Sequence, residues 1–213
     1  VLLGLCEPAM TGIGGDCFAL WSHGDRKKVF ALNGSGRAPA GLDAAYLRAA
    51  GEGSVPLFSA HAVTIPTAVA AFCHLSETVG KLGLDALLAP TIHYAEHGVP
   101  VAPRAAFDWG NYEQNLQGGA RDKFLINGKA PKAGELFRAP GQAEVLRRVA
   151  RDGASAFYSG EIAEDMVATL KAAGGQHSLE DFAAARCDET QPVTGHYKDL
   201  EVVEHPPNTH GAT

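Results

Sequence analysis

The sequence predicts a mixed α+β fold, and three observations carry that expectation. Two short apolar runs, Phe18-Ala19-Leu20-Trp21 and Val29-Phe30-Ala31-Leu32, flank the polar stretch 23–28, which is the pattern of a β-hairpin. Over residues 63–98, and again over 142–170, apolar residues return at helical spacing. The balance of 46% hydrophobic against 20% charged residues over 213 positions provides for a real core.

Taken in order, the opening Val1-Leu2-Leu3-Gly4-Leu5 lacks the basic flank and the length of a signal peptide and reads as buried structure entered midway. In the 63–98 stretch, Leu84, Leu87, Leu88, Ile92 and Ala95 share one side and Gly98 is placed as a stop, giving at least two helices. Residues 108–134 are rich in Asn, Gln, Gly and Lys with weak periodicity, and are expected to form an exposed excursion. Helical spacing returns at 142–150 and at Ile162, Met166, Val167 and Leu170, the latter closed by Gly174-Gly175. Ser178 and Asp181 have the spacing of a capping box for a further short helix. Residues 197–203 read as a strand cut off by Pro206-Pro207, which cannot continue a ladder. With no internal repeat and no linker composition, residues 1–213 are expected to form one domain.

The net charge of -6 and the pI near 5.8 supply no basic surface for a nucleic acid or an anionic membrane, so small molecules are the expected ligands. No apolar run approaches the roughly 20 residues that span a bilayer. Cys6, Cys17, Cys73 and Cys187 show no C-x-x-C spacing and suit free thiols. Asp25, Lys27 and Lys28 are expected on solvated faces, and Phe72, Phe157, Tyr158 and Phe182 in the core.

The stretch Glu7-Pro8-Ala9-Met10-Thr11-Gly12-Ile13-Gly14-Gly15-Asp16-Cys17-Phe18 resembles the E-P-x-x-S-G-I-G-G-G-G-F signature of the γ-glutamyltranspeptidase family, with Asp16 and Cys17 standing for two glycines. Val63-Thr64-Ile65-Pro66-Thr67-Ala68-Val69-Ala70 is similar to the family's V-G-V-P-G-x-V-A and follows in the right order. Further landmarks are Leu87-Leu88-Ala89-Pro90-Thr91-Ile92, Ala95-Glu96-His97-Gly98, Gly134-Glu135, the run from Gly153 to Ala163, Gly174-Gly175 and Leu179-Glu180-Asp181-Phe182. Nearly the whole chain is covered.

The resemblance implies part of an αββα N-terminal-nucleophile hydrolase sandwich, incomplete in this chain. It also implies a precursor that cleaves itself to expose a threonine at the start of a small subunit. That threonine's own α-amine, with a pKa near 8, serves as its base. Thr213 stands at the wrong end of this chain for that role, and both ends are expected to be cut from a longer protein. The partner so implied is the small-subunit segment of the same precursor. The substrate is a small amide or peptide, and no cofactor or metal is required.

Family members that accept γ-glutamyl donors carry an arginine in D-x-R-E-x-A-P, which grips the donor's α-carboxylate. The corresponding stretch here is Asn33-Gly34-Ser35-Gly36-Arg37-Ala38-Pro39. Aligned on Ala38-Pro39, the arginine position holds Ser35 and the glutamate position Gly36. Arg37 lies two residues on, on the same face of an extended segment and about 6 to 7 Å further along. Ser35 and Arg37 are therefore the candidate substrate-binding residues, and Arg37 either grips a different donor or pairs with a surface carboxylate. The alternatives for function are an acylase of the same family with a non-γ-glutamyl substrate, and a non-catalytic binding fragment.

Two rival patterns are weaker. His93-Tyr94-Ala95-Glu96-His97 matches the helical zinc motif H-x-x-E-H, but His97 abuts Gly98 at the helix end and no third ligand is signalled. Gly12-Ile13-Gly14-Gly15 and Gly34-Ser35-Gly36 complete neither G-x-G-x-x-G nor a P-loop, and read as tight turns and close packing.

Overall fold

The computed structural model describes residues 1–24 and 28–211, so Asp25, Lys27 and Thr213 lie outside the described residues. The opening apolar run is a short helix, α1 (Leu2–Cys6), with Leu5 fully buried. The expected hairpin follows as β1 (Cys17–Ser22) and β2 (Val29–Gly34), antiparallel with Cys17 opposite Gly34 and Ser22 opposite Val29. Side chains alternate along β1, so Cys17, Ala19 and Trp21 turn inward while Phe18 and Leu20 face outward, 38% and 40% exposed.

A short helix, α2 (Ala44–Ala49), is capped by the Asp43 carboxylate, which accepts the Tyr46 N–H. The two helices expected over 63–98 are α3 (Ala68–Thr78) and α4 (Leu84–His97), and α4 ends at Gly98 with φ of 104°. Only glycine takes that angle without strain. The α3 helix packs across β1 and β2. Gly34 lets it approach, since a Cβ there would stand 3.0 Å from the Ala71 Cβ and 2.6 Å from the Cys17 carbonyl oxygen.

Residues 108–134 are mostly exposed, as expected, but the stretch 99–137 that contains them is folded around a few buried side chains. The segment holds the short β3 (Val99–Pro100), helices α5 (Pro103–Tyr112) and α6 (Gly119–Phe124), and β4 (Leu136–Phe137), which pairs with β3. Trp109 is 3% exposed and packs edge-on against Phe137 at 4.7 Å, in a second core cluster with Leu5, Ala95, Val101 and Ala143. A few large rings bury this segment and polar residues fill the rest, so no run of apolar residues marks its period. The Glu113 carboxylate ties its far end down by accepting the Ala130 N–H at 2.8 Å.

Helix α7 (Pro140–Asp152) begins with proline, whose missing N–H costs nothing at the first position, and turns Ala143, Leu146 and Val149 onto α4. Helices α8 (Ser155–Tyr158) and α9 (Gly160–Ala172) follow. Ile65, Val69, Leu88, Leu146, Val149, Phe157, Val167 and Phe182 close the main core between α3 and these helices. The expected capping box opens α10 (Leu179–Ala183): the Ser178 side chain accepts the Asp181 N–H, and the Asp181 carboxylate accepts the Ser178 N–H. Phe157, Tyr158 and Phe182 are buried as expected, while Phe72 is half-buried.

The chain then returns to the first sheet as β5 (Asp188–Thr190), antiparallel to β2, giving the order β1-β2-β5. The single strand expected over 197–203 is a hairpin instead, β6 (Val193–Tyr197) and β7 (Leu200–Glu204), with Lys198 at φ of 58° in its turn. Lys198 and Asp199 carry no glycine signal, so the apolar spacing across the turn read as one strand. Among the described residues no helix is long and apolar enough to cross a membrane.

Candidate functional site

Four separated stretches of sequence meet at the open end of the β1-β2-β5 sheet. The first turn of α3 has free N–H groups that need acceptors. Gly15 O accepts from Thr67 N at 3.1 Å and from Ala68 N at 2.9 Å, and the buried Tyr158 hydroxyl accepts from Ala70 N at 3.0 Å. Burial, only partly offset by that hydrogen bond, pushes the Tyr158 hydroxyl well above the ordinary tyrosine value, so it stays a neutral phenol. Thr67, 2% exposed, turns its own hydroxyl away from the helix to donate to Gly34 O, and Ile65 N donates to Arg37 O at 2.9 Å. The glycine-rich 12–16 segment, the 33–39 segment and the start of α3 are thereby one hydrogen-bonded unit.

Gly36 sits in the tightest place. A Cβ there would collide with the Ile65 carbonyl oxygen and the Thr64 hydroxyl, so no side chain fits. Its N–H donates to Asp16 Oδ1 at 2.8 Å. Beside it, Ser35 N donates to Asn33 Oδ1 at 2.9 Å, and the Ser35 hydroxyl accepts from Asn208 Nδ2 at 2.7 Å. Asn33 Nδ2 donates in turn to Asn208 Oδ1 at 3.1 Å. The fourth stretch, the turn after β7, is thus fastened to 33–35. The buried His205 ring also spans to Leu32 O, at 2.9 Å from Nε2.

Arg37 stands at the rim, where Nη2 lies 3.6 Å from Asp188 Oδ2. Because β5 pairs with β2 so that Asn33 faces Asp188, the approach of β5 carries Arg186 to the same place, with Nε 3.5 Å from Asp188 Oδ1. Arg37, Thr67, Asp181 and Arg186 line a cleft of about 180 Å³ between the 37–40 segment and α10. Burial pulls Asp181 upward. The hydrogen bonds from Ala40 N–H and from the Ser178 hydroxyl and N–H outweigh it and hold the carboxyl below the usual aspartate range.

The two residues singled out in the sequence are therefore near one another but differently engaged: Ser35 is tied to Asn208, and Arg37 faces the cleft beside Asp188 and Arg186. Asp16 was visible only as a departure from a glycine signature. Asn208, Asp188 and Arg186 carried no signal, because strand pairing and the final turn bring them to the 33–37 segment from 149 to 175 positions away. At the rival zinc pattern, Glu96 is engaged in an ion pair with Arg147, and His97 Nδ1 contacts His93 O at 2.9 Å. No group of three metal-ligating side chains occurs among the described residues.

A family model described as Gamma-glutamyltranspeptidase matches residues 1–213. The chain is 34% identical to the Glutathione hydrolase-like YwrD proenzyme of Bacillus subtilis (strain 168) over 99% of its own length and 40% of that protein. It is 32% identical to the Oxamate amidohydrolase proenzyme of Klebsiella pneumoniae over 96% of its length and 40% of the relative. Among solved structures, cephalosporin acylase from Bacillus halodurans superposes with a TM-score of 0.90 at 36% identity, covering 97% of this chain and 40% of that one. The chain thus spans well under half of each of these relatives.

Proposed function

The chain belongs to the gamma-glutamyltranspeptidase family, and from that premise we propose that residues 1–213 are a large-subunit fragment of a self-processing amidohydrolase whose substrate is not a standard γ-glutamyl donor. The family consists of enzymes, and the matched relatives are named as proenzymes. The nucleophile is assigned to the remainder of the precursor. After self-cleavage a threonine hydroxyl attacks the amide carbonyl while the freed α-amine takes its proton. The leaving amine then departs with that proton, and water hydrolyses the resulting ester to release the acid and restore the threonine. The part assigned to the present residues is to hold the acyl group.

The observation that carries the substrate reading is the state of Ser35. Where the family resemblance calls for a carboxylate-gripping arginine, a short side chain is committed to Asn208, and Gly36 beside it has no room for any side chain. Identities of 32% to an oxamate amidohydrolase and 36% to a cephalosporin acylase, beside 34% to a glutathione hydrolase-like protein, leave room for a different amide in the same chemistry. The test uses the full-length, self-processed protein and compares glutathione hydrolysis by the native form, Ser35→Arg and Arg37→Ala. Losing a bidentate guanidinium contact removes about 1.5 to 3 kcal/mol, roughly ten- to a hundredfold in donor use, so the native form is expected to be poor and Ser35→Arg to recover part of that factor. An efficient native enzyme that Arg37→Ala disables would instead make Arg37 the γ-glutamyl clamp.

A further inference from the structure

Helices α7 and α9 border a groove of about 710 Å³ that the candidate site does not use, with Ile13 of the glycine-rich segment and Phe124 of α6 completing its lining. That volume lies within the roughly 300–1,000 Å³ of small-molecule sites. The floor is apolar: Val145 from α7 and Ile162 and Met166 from α9 are half-buried and pack on the main core, to which the lining residue Phe157 belongs.

Glu144, Glu161 and Asp165 bring three carboxylates to the rim, and Arg148 brings the one guanidinium, which is already spent. Its Nε donates to Glu144 Oε1 at 2.9 Å and its Nη1 to Glu161 Oε2 at 2.7 Å. Glu144 and Arg148 stand one turn apart on α7, and Glu161 lies in the first turn of α9, so the pairing is fixed by the two helix faces. Glu144 also has Arg147 at 3.7 Å. Asp165, one turn beyond Glu161, makes no hydrogen bond or ion pair among the described residues. One negative charge is therefore left over beside an apolar floor.

We propose that this groove binds a small organic ammonium with an apolar body, the hydrocarbon lying along Val145, Ile162 and Met166 and the charge meeting Asp165. The proposal stands apart from the amidohydrolase reading, since it shares no lining residue with the Arg37 cleft. Apolar burial supplies the affinity, because each methylene removed from water favours the bound state. The uncommitted carboxylate supplies the sign. An anion of the same shape meets Asp165 as a like charge, and Arg148 is no counter-ion for it because Glu144 and Glu161 already hold that side chain.

The test titrates three ligands of one shape, 4-phenylbutylammonium, 4-phenylbutanol and 4-phenylbutyrate, calorimetrically into the full-length, self-processed protein. The ammonium is expected to bind about three- to fivefold more tightly than the alcohol, the scale of one solvent-exposed charge pair, and the acid more weakly than either. Asp165→Asn should bring the ammonium down to the level of the alcohol and leave the alcohol unchanged. Asp199→Asn, at an exposed aspartate in the turn between β6 and β7, is the control and should change nothing. Raised salt should narrow the gap between ammonium and alcohol. Val145→Phe fills the groove and should weaken all three ligands while the unfolding midpoint stays near the native one; if that variant does not fold, the exposed Asp165→Asn still decides. Absence of binding by the native protein, equal affinity for the three ligands, or an ammonium preference that survives Asp165→Asn overturns the proposal. So does a groove that seats a second copy of the chain instead, seen as a dimer in light scattering that Val145→Phe dissociates while no ammonium binds.

Discussion

The Asp16 carboxylate accepts the Gly36 N–H at 2.8 Å, so two departures from the family's sequence pattern meet in one hydrogen bond. The family resemblance sets a glycine at the first position and a glutamate at the second. Here the acid stands on the β1 side and the glycine on the β2 side, just beyond the rung where Cys17 faces Gly34. The Asp16 carboxylate braces this end of the sheet by holding backbone, and the 35–37 segment carries no acidic side chain.

Gly36→Ala is expected to destabilise the protein by about 1–3 kcal/mol, because the added methyl overlaps the Ile65 carbonyl and must push the segment away from α3. Asp16→Ala should cost less, about 1 kcal/mol, since the freed Gly36 N–H lies at an exposed position that water can reach. Urea unfolding of both variants gives the order. A larger loss for Asp16→Ala would mean that the carboxylate rather than the close approach fixes the segment.

The Ser178–Asp181 capping box should make stability fall in acid. Because the folded state depresses Asp181 below the usual aspartate value, its contribution is fully present above that value and is lost as pH falls through the lower, folded one. Asp181→Asn should therefore be destabilised by about 1 kcal/mol at neutral pH, with the gap to the native protein closing in acid. Unfolding midpoints measured at neutral pH and in acid test this, and a gap that is constant with pH would remove the charge from the explanation.

Cys73 is buried against the main core, and burial first, then Glu77 and Cys187, pushes its thiol up to about 11 from the usual 9.0. At pH 8 the thiolate is then about a hundredfold scarcer than in a small free thiol, and only the thiolate reacts. Disulfide-exchange labelling followed by mass spectrometry should find Cys73 modified last, at least a hundredfold more slowly than a free thiol. Comparable rates at all four cysteines would show that the core around α3 opens freely.

The hairpin, the two helices ending at Gly98, the helix closed by Gly174 and the Ser178–Asp181 box were all legible in the sequence, because each is written in local spacing and caps. The exposure of 108–134 was legible too, but the helices and buried rings of the 99–137 stretch were not, because they rest on Trp109, Phe124 and Phe137 meeting from different elements. The site divides in the same way. Ser35 and Arg37 could be singled out from one stretch of chain, whereas Asn208 and Arg186 reach them only through the return of β5 and the turn after β7.

Asn208 supplies the last prediction. Its side-chain amide donates to the Ser35 hydroxyl at 2.7 Å and accepts from Asn33 Nδ2 at 3.1 Å, so one side chain holds the final turn to the 33–35 segment. Asn208→Ala deletes both bonds and should cost about 1–2 kcal/mol. Asn208→Asp loses the donor, but a serine hydroxyl can donate as well as accept. The new carboxylate can then receive the Ser35 hydroxyl and the Asn33 amide together, and charge assistance strengthens both. The aspartate variant is therefore expected to retain most of the stability that the alanine variant loses, and Ser35→Ala should erase part of the difference between them. A double-mutant cycle of Asn208→Asp with Ser35→Ala, read by urea unfolding, isolates the pair. If Asn208→Asp is as destabilised as Asn208→Ala, and Ser35→Ala changes neither, the Ser35 hydroxyl is not held by residue 208 and is available to a ligand, which would reopen Ser35 itself as a substrate contact.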